Sequence, residues 1–201
     1  MRKFLSIAIF LLFSSQSFAQ NQDKTAKVKE FVNEVGNKII KTADDKKLSV
    51  EQRKSKIIEI IDLAIDPDWI SRFVLGKNYK NISEENKIEF VKTYREFMIN
   101  TYGPKFQNYN GKKFDVIDIS EQNSFYIAKA EFLPKDSNTA ISVSFRVKER
   151  NNKLVILDFI AEGVSLIETQ RSEFNSAISQ KGIDNFLKDL KARTEKLKNQ
   201  K

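Results

Sequence analysis

The stretch 141–150, ISVSFRVKER, alternates apolar and polar side chains from Ile141 to Lys148. A period of two puts Ile141, Val143, Phe145 and Val147 on one face of a strand. Ser142, Ser144, Arg146 and Lys148 fall on the other. Such a strand belongs to an antiparallel sheet with one wet side. Turn residues bracket it, Pro134 to Asn138 before and Asn151-Asn152 after. Outward again lie a run carrying Tyr126, Ala128, Ala130 and Phe132 on one face, and a run from Leu154 to Ala161 that is apolar on nearly both faces. A further run begins at Lys112, after Asn110-Gly111, and ends at the turn Glu121 to Ser124. Four strands thus fit between Lys112 and Glu162, and short, even connections predict an antiparallel meander.

The period is helical on both sides of this block. From Thr25 to Ala43 the residues Val28, Phe31, Val32, Val35, Ile39 and Ile40 recur at helical spacing over a polar face. Ser49-Val50-Glu51-Gln52 is a capping box, and the helix after it carries Ile57, Ile58, Ile60, Ile61, Leu63 and Ile65, enough to predict burial on two sides. Asp66-Pro67 restarts a helix through Trp69, Ile70, Phe73 and Val74, and Gly76 suits its C-terminal cap. Ser83 opens a longer helix, which Gly103-Pro104 is expected to break or kink. After the strands come two helices, about 165–180 and 183–196, and a charged end, KARTEKLKNQK, expected to fray. Helices, then a meander, then helices make an α+β fold, with helices packed on a curved four-stranded antiparallel meander sheet.

The chain opens MRKFLSIAIFLLFSSQSFAQ. A basic start, an apolar run and Ser17-Phe18-Ala19 as a small-x-small site predict a secretory signal peptide over 1–19, followed by a single domain over 20–201. The apolar run falls short of the roughly 20 residues a spanning helix needs. Position 20 is Gln and the chain has no Cys, so a lipid-anchored cysteine at the cleavage site is excluded, as are thiol catalysis and thiolate metal sites. The net charge of +8 becomes +6 without Arg2 and Lys3. Export argues against nucleic acid as the partner; a solvated surface and weak attraction to anionic lipid both fit.

Catalytic patterns are scarce. There is no His, and hence no imidazole base, triad or His metal ligand. Gly163-Val164-Ser165-Leu166-Ile167 lacks the second glycine of a nucleophile elbow. Ser165-Leu166-Ile167-Glu168 reads instead as a capping box directly after a strand. No phosphate-binding glycine loop is present. Asp115, Asp118 and Glu131 lie within strands that mix polar and apolar positions. A carboxylate general base in a curved-sheet pocket is the surviving enzymatic alternative, with Asp158 as the candidate. Asp158 is otherwise a buried carboxylate held by a Lys, an Arg or a backbone N–H. No catalytic residue, metal or cofactor is assigned, and the protein is read as not an enzyme.

What rises above background is apolar surface. Ala128 and Ala130 in mid-strand leave room above the sheet, filled either by a closely packed helix or by an apolar ligand. Two segments bear on that choice. One is Phe73-Val74-Leu75-Gly76-Lys77-Asn78-Tyr79 with Ser83-Glu84-Glu85, Phe90, Tyr94, Phe97 and Thr101-Tyr102. The other is Asp158-Phe159-Ile160-Ala161-Glu162-Gly163-Val164-Ser165-Leu166 with Arg171-Ser172-Glu173-Phe174 and Gly182. Together they resemble the MlaC family, also called toluene-tolerance auxiliary proteins, over about Val28 to Leu190.

The resemblance implies a soluble periplasmic phospholipid carrier with an apolar pocket for acyl chains. It implies exchange with an outer-membrane lipoprotein complex and an inner-membrane ABC transporter that has an MCE-domain subunit, and a role in outer-membrane lipid asymmetry. Combined with the strand alternation, it marks Phe73, Tyr94, Met98, Tyr102, Tyr126, Ala128, Ala130, Phe145, Leu157 and Phe159 as ligand-binding candidates. Ser165, Glu162 and Arg171 are marked as structural, with Glu162 and Arg171 expected to pair and tie the last strand to the next helix. The alternatives are an apolar-pocket enzyme of the NTF2-like type and a periplasmic chaperone or adaptor; the latter would show a large exposed apolar patch.

Overall fold

The computed structural model describes the backbone of residues 10–107 and 111–199, and the side chains of 23–102 and 111–199. Helix α1 spans Phe10–Ala43, α2 Val50–Ala64, α3 Pro67–Leu75 and α4 Glu84–Gln107. Strands β1 Gly111–Gln122, β2 Phe125–Pro134, β3 Ile141–Arg150, β4 Lys153–Ala161 and β5 Val164–Ser165 follow, then α5 Leu166–Lys181 and α6 Ile183–Asn199. The sheet runs β1-β2-β3-β4-β5 with every pair antiparallel, an open meander in an α+β fold. The two-residue β5 is a fifth strand beyond the four expected.

Local chemistry sets the boundaries. Ser49 Oγ accepts the Gln52 N–H at 3.2 Å and Ser49 N–H donates to Gln52 Oε1 at 2.8 Å, which completes the capping box of α2. Asp66 Oδ1 accepts the Trp69 N–H at 2.8 Å, with Pro67 in the first turn of α3. Asn151 and Asn152 both have positive φ, 49° and 60°, the conformation of a two-residue hairpin turn that Asn tolerates well.

Three expectations are corrected. Helix α4 runs through Gly103-Pro104 to Gln107 without a break, because the proline removes a single ladder bond, its own N–H to the carbonyl four residues back. Helix α6 continues to Asn199, held by buried Thr194 and by the pair between Lys191 Nζ and Glu89 at 2.6 Å. Helix α2 is not buried on two sides. Only Ile57 and Ala64 are buried, and Leu63 is 80% exposed, because α1, α4 and β4 cover one flank and nothing described covers the other. Of the expected leader, residues 1–9 lie outside the described residues, as does Asn110. No helix among the described residues is long and apolar enough to cross a membrane.

Two hydrophobic clusters organise the interior. One joins α1 to the sheet through Val28, Val32, Phe114, Val116, Ala128 and Ala130. The other is helical and centres on Phe90, Tyr94, Phe97, Phe174 and Phe186, with Phe174 in ring contact with the other four. Each phenylalanine taken out of water contributes roughly 1.5–3 kcal/mol.

Candidate functional site

Strand β4 divides the two clusters. Phe145 pairs with Phe159 and Arg146 with Asp158 across β3 and β4, so alternation puts the aromatic pair on one face and the charged pair on the other. On the aromatic face, Phe145 meets Phe114 edge to face at 6.0 Å and Phe159 at 5.6 Å. On the charged face sits the N-terminus of α5. A register shift between Arg146 and Val147 lets β4 present apolar side chains in both directions, and Leu157, next to it, is fully buried.

Asp158 is 3% exposed, and both its carboxylate oxygens are engaged. Ser165 Oγ donates to Oδ2 at 2.6 Å and the Ile167 N–H donates to Oδ1 at 3.2 Å, with Arg146 at 3.8 Å. Burial nonetheless raises its pKa above the ordinary carboxylate range, against the lowering effect of Ser165, Ile167 and Arg146. These contacts make Asp158 an anchor for the start of α5, and no free oxygen is left for a substrate. Ser165 also accepts the Glu168 N–H at 3.1 Å, so it caps α5. The cap is half a box: the Glu168 carboxylate accepts from Arg146 Nη2 at 3.0 Å instead of turning back to the Ser165 backbone.

The expected Glu162–Arg171 pair is not formed. Glu162 sits exposed at φ 51° in the tight turn between β4 and β5, beside Gly163 at φ 78°. Arg171 reaches the other way. Its Nη1 donates to the Phe73 carbonyl at 3.0 Å and its guanidinium lies over the Phe73 ring at 4.7 Å. Asn175 Nδ2 approaches the Val74 carbonyl at 3.5 Å and Asn175 Oδ1 accepts from Asn78 at 2.8 Å. The end of α3 is therefore capped by side chains of α5. Gly76 has φ +56°, and a Cβ there would lie 3.0 Å from Arg171 Nη2, so glycine serves both the turn and the guanidinium.

The ten candidate ligand residues divide between the layers. Tyr126, Ala128, Ala130 and Phe145 belong to the cluster under α1, and Phe159 joins them through Phe145. Phe73, Tyr94 and Met98 belong to the helical cluster. Tyr102 is half-buried and its hydroxyl is bonded by the Gln170 side chain. Ala128 and Ala130 are fully buried beside Val28 and Val32, so their small side chains admit helix α1. Phe73, Met98, Tyr102, Tyr126, Phe145 and Phe159 are only partly buried. A cavity of about 470 Å³ lies elsewhere, between α4 and α6, and its lining is largely charged: Glu85, Glu89, Lys92, Glu96, Lys191 and Glu195. Among the described residues no cluster of acidic side chains could hold a metal ion.

Sequence reasoning missed two residues that place the layers. Gly36, in mid-helix α1, lets the Phe114 ring lie so close that a Cβ would stand 2.3 Å from it. Asn33 Oδ1 accepts the Val116 N–H at 2.9 Å beside a register shift in β1. A glycine inside an otherwise regular amphipathic helix was the available signal for the first, because it costs about 1 kcal/mol unless packing repays it.

The open meander, the helix laid across one face and the helical layer at β4 define an α+β protein built around apolar layers with no catalytic constellation among the described residues. Comparison with known proteins agrees at three levels. The family model for MlaC protein matches residues 19–192, and this chain belongs to that family. The intermembrane phospholipid transport system binding protein MlaC of Haemophilus influenzae is 23% identical over 127 residues, which span 61% of this chain and 59% of that protein. A phospholipid-binding protein from Ralstonia solanacearum, solved in complex with a phospholipid, shares the fold with a TM-score of 0.73 over 84% of this chain and 97% of that one, at 15% identity.

Proposed function

We propose that this chain is an exported phospholipid carrier, processed after residue 19, that takes up diacyl lipid at the junction of its two layers. It exchanges lipid with an outer-membrane lipoprotein complex and an inner-membrane ABC transporter with an MCE-domain subunit, and so maintains outer-membrane lipid asymmetry. The observation that carries this reading is membership of the MlaC family across nearly the whole chain. The partial burial of Phe73, Met98, Tyr102, Tyr126, Phe145 and Phe159 supports it, because side chains that await acyl chains are not fully covered by protein.

Carrying lipid breaks no bond, which fits a chain without His or Cys and, among the described residues, without a free buried carboxylate. Roughly 30 methylenes at ~0.8 kcal/mol each oppose a diacyl lipid's escape into water by about 24 kcal/mol. An apolar junction makes each transfer hydrocarbon to hydrocarbon, so the net difference between donor and acceptor is small. The partner's task is then to lower a barrier. Native mass spectrometry of the mature protein, purified from a periplasm without detergent, tests the reading. A stoichiometric adduct at phospholipid mass is expected; an apo mass that persists after incubation with liposomes would overturn it.

A further inference from the structure

The cavity of about 470 Å³ between α4 and α6 has no part in the carrier reading. None of its lining residues belongs to either hydrophobic cluster, so it does not extend the apolar interior. Its long wall is α4. Glu85, Ile88, Glu89, Lys92, Thr93 and Glu96 fall at steps of three and four, one stripe along about three turns of the helix. Lys191, Thr194 and Glu195 of α6 make the facing wall, and Lys191 Nζ spans the groove to Glu89 at 2.6 Å.

Two features set the chemistry of this groove. Ile88 is 73% exposed, although it stands in a stripe whose spacing suits packing against another helix. The charges are also unbalanced. Four glutamates line the groove against two lysines, a surplus of two negative charges in a chain whose total is +8. One of those lysines, Lys191, is already matched by Glu89. The neighbouring cations are engaged as well: Lys87 by Glu84, Arg95 by Asp62, and Arg193 over the Phe97 ring. Among the described residues Glu85, Glu96 and Glu195 have no ion-pair partner within 4.0 Å.

We propose that this groove docks a partner protein through a cationic amphipathic helix. A third helix laid along α4 and α6 sets an apolar side chain on Ile88. Its lysines or arginines, spaced three and four apart, meet Glu85, Glu96 and Glu195. The length of the stripe decides for a helix over a small cation. Glu85 and Glu96 lie eleven residues apart, about 16 Å along the axis, which a helix bridges and a single small cation does not. The inference goes beyond the carrier reading and does not depend on where lipid is held.

The test uses the full mature protein, isotope-labelled, and a synthetic alanine-based helix of about 18 residues. This helix bears one leucine flanked by lysines at spacings of three and four; its control has glutamates in place of the lysines. In an NMR titration at low salt, the lysine helix is expected to shift amides over 84–96 and 190–196, and the shifts should fade as salt is added. The glutamate helix should shift none. Glu85→Lys/Glu195→Lys changes two exposed positions outside the Lys191–Glu89 pair and should weaken binding about tenfold with an unchanged melting transition. Ile88→Ser should weaken it about threefold. Shifts that gather elsewhere, equal binding of the glutamate helix, or an affinity that either substitution leaves unchanged would each overturn the docking site. The charge-reversed variant should still carry a phospholipid adduct in native mass spectrometry. If it lost the adduct together with the peptide, the groove would belong to lipid binding, and the docking site would fall while the carrier reading stood.

Discussion

Ser165 donates its hydroxyl proton to Asp158 Oδ2 at 2.6 Å while its oxygen accepts the Glu168 N–H at 3.1 Å. One side chain thus closes the last hairpin of the sheet and opens α5. The Ile167 N–H reaches the same carboxylate, so the end of β4 and the first turn of α5 share one buried anion. This geometry explains why a serine after Gly163 sits where a nucleophile would be sought: it orients a helix.

Asp158 supplies a pH signature. Its folded pKa is raised by burial. Protonation therefore favours the folded state, and the stability it contributes is fully present below the unfolded value of about 3.9 and is lost as pH rises through the folded pKa. Chemical denaturation from about pH 4 upward should show wild type losing stability over that window. Asp158→Asn should lack this loss and, because one amide oxygen replaces two acceptors, should cost about 1–3 kcal/mol near pH 4. Parallel pH profiles for the two proteins would refute this assignment.

Gly36→Ala tests the approach of α1 to the sheet. Alanine raises helix propensity by about 1 kcal/mol, yet the new Cβ would meet the buried Phe114 ring at 2.3 Å. Overpacking of about 1–3 kcal/mol should prevail, giving a net loss in melting temperature. The double variant Gly36→Ala/Phe114→Leu should regain part of it. A more stable single variant would show that the ring moves freely.

Arg171 holds α3 to α5 through the Phe73 carbonyl and ring. Arg171→Ala is expected to lower stability by about 2 kcal/mol, near the middle of the range for a hydrogen bond to a charged group. Arg171→Lys should restore less than half, since an ammonium lacks the planar fork that bonds and stacks at once. Glu162→Ala should be close to neutral, because Glu162 is an exposed turn residue. A Glu162→Ala cost equal to that of Arg171→Ala would restore the pairing that the structure rejects.

Asn33→Leu strands the Val116 N–H at the irregular point of β1. A loss of about 1–3 kcal/mol is expected, while Asn33→Asp, which keeps the acceptor, should lose less. Hydrogen exchange at the Val116 amide is the direct readout. Unchanged protection in Asn33→Leu would mean that the bond is dispensable.

Much of the architecture is written in periodicity. The alternation of Ile141 to Val147 and the turn residues Asn151-Asn152 fix the meander, since a period of two admits one face inward and paired asparagines tolerate the left-handed turn. The caps at Ser49, Asp66 and Ser165 are equally local, each satisfying backbone N–H groups within three residues. Motif spacing also carried the family resemblance. Arg171 and Phe73 show why its two segments go together: they are 98 residues apart in the chain and in contact in the fold.

Tertiary structure decided everything that depends on which surfaces meet. Sequence determined that Ala128 and Ala130 leave space above the sheet; only the packing of α1 decided that Val28 and Val32 fill that side. Sequence determined that Arg171 is a cation near the start of a helix. Its partner was decided by α3 packing along α5, which brings the Phe73 carbonyl within reach and leaves Glu162 in solvent. Local interactions are set by spacing along the chain and can be read there. Long-range contacts depend on how layers of fixed shape come together, and that is settled by burying the most apolar area while leaving the fewest polar atoms unpaired.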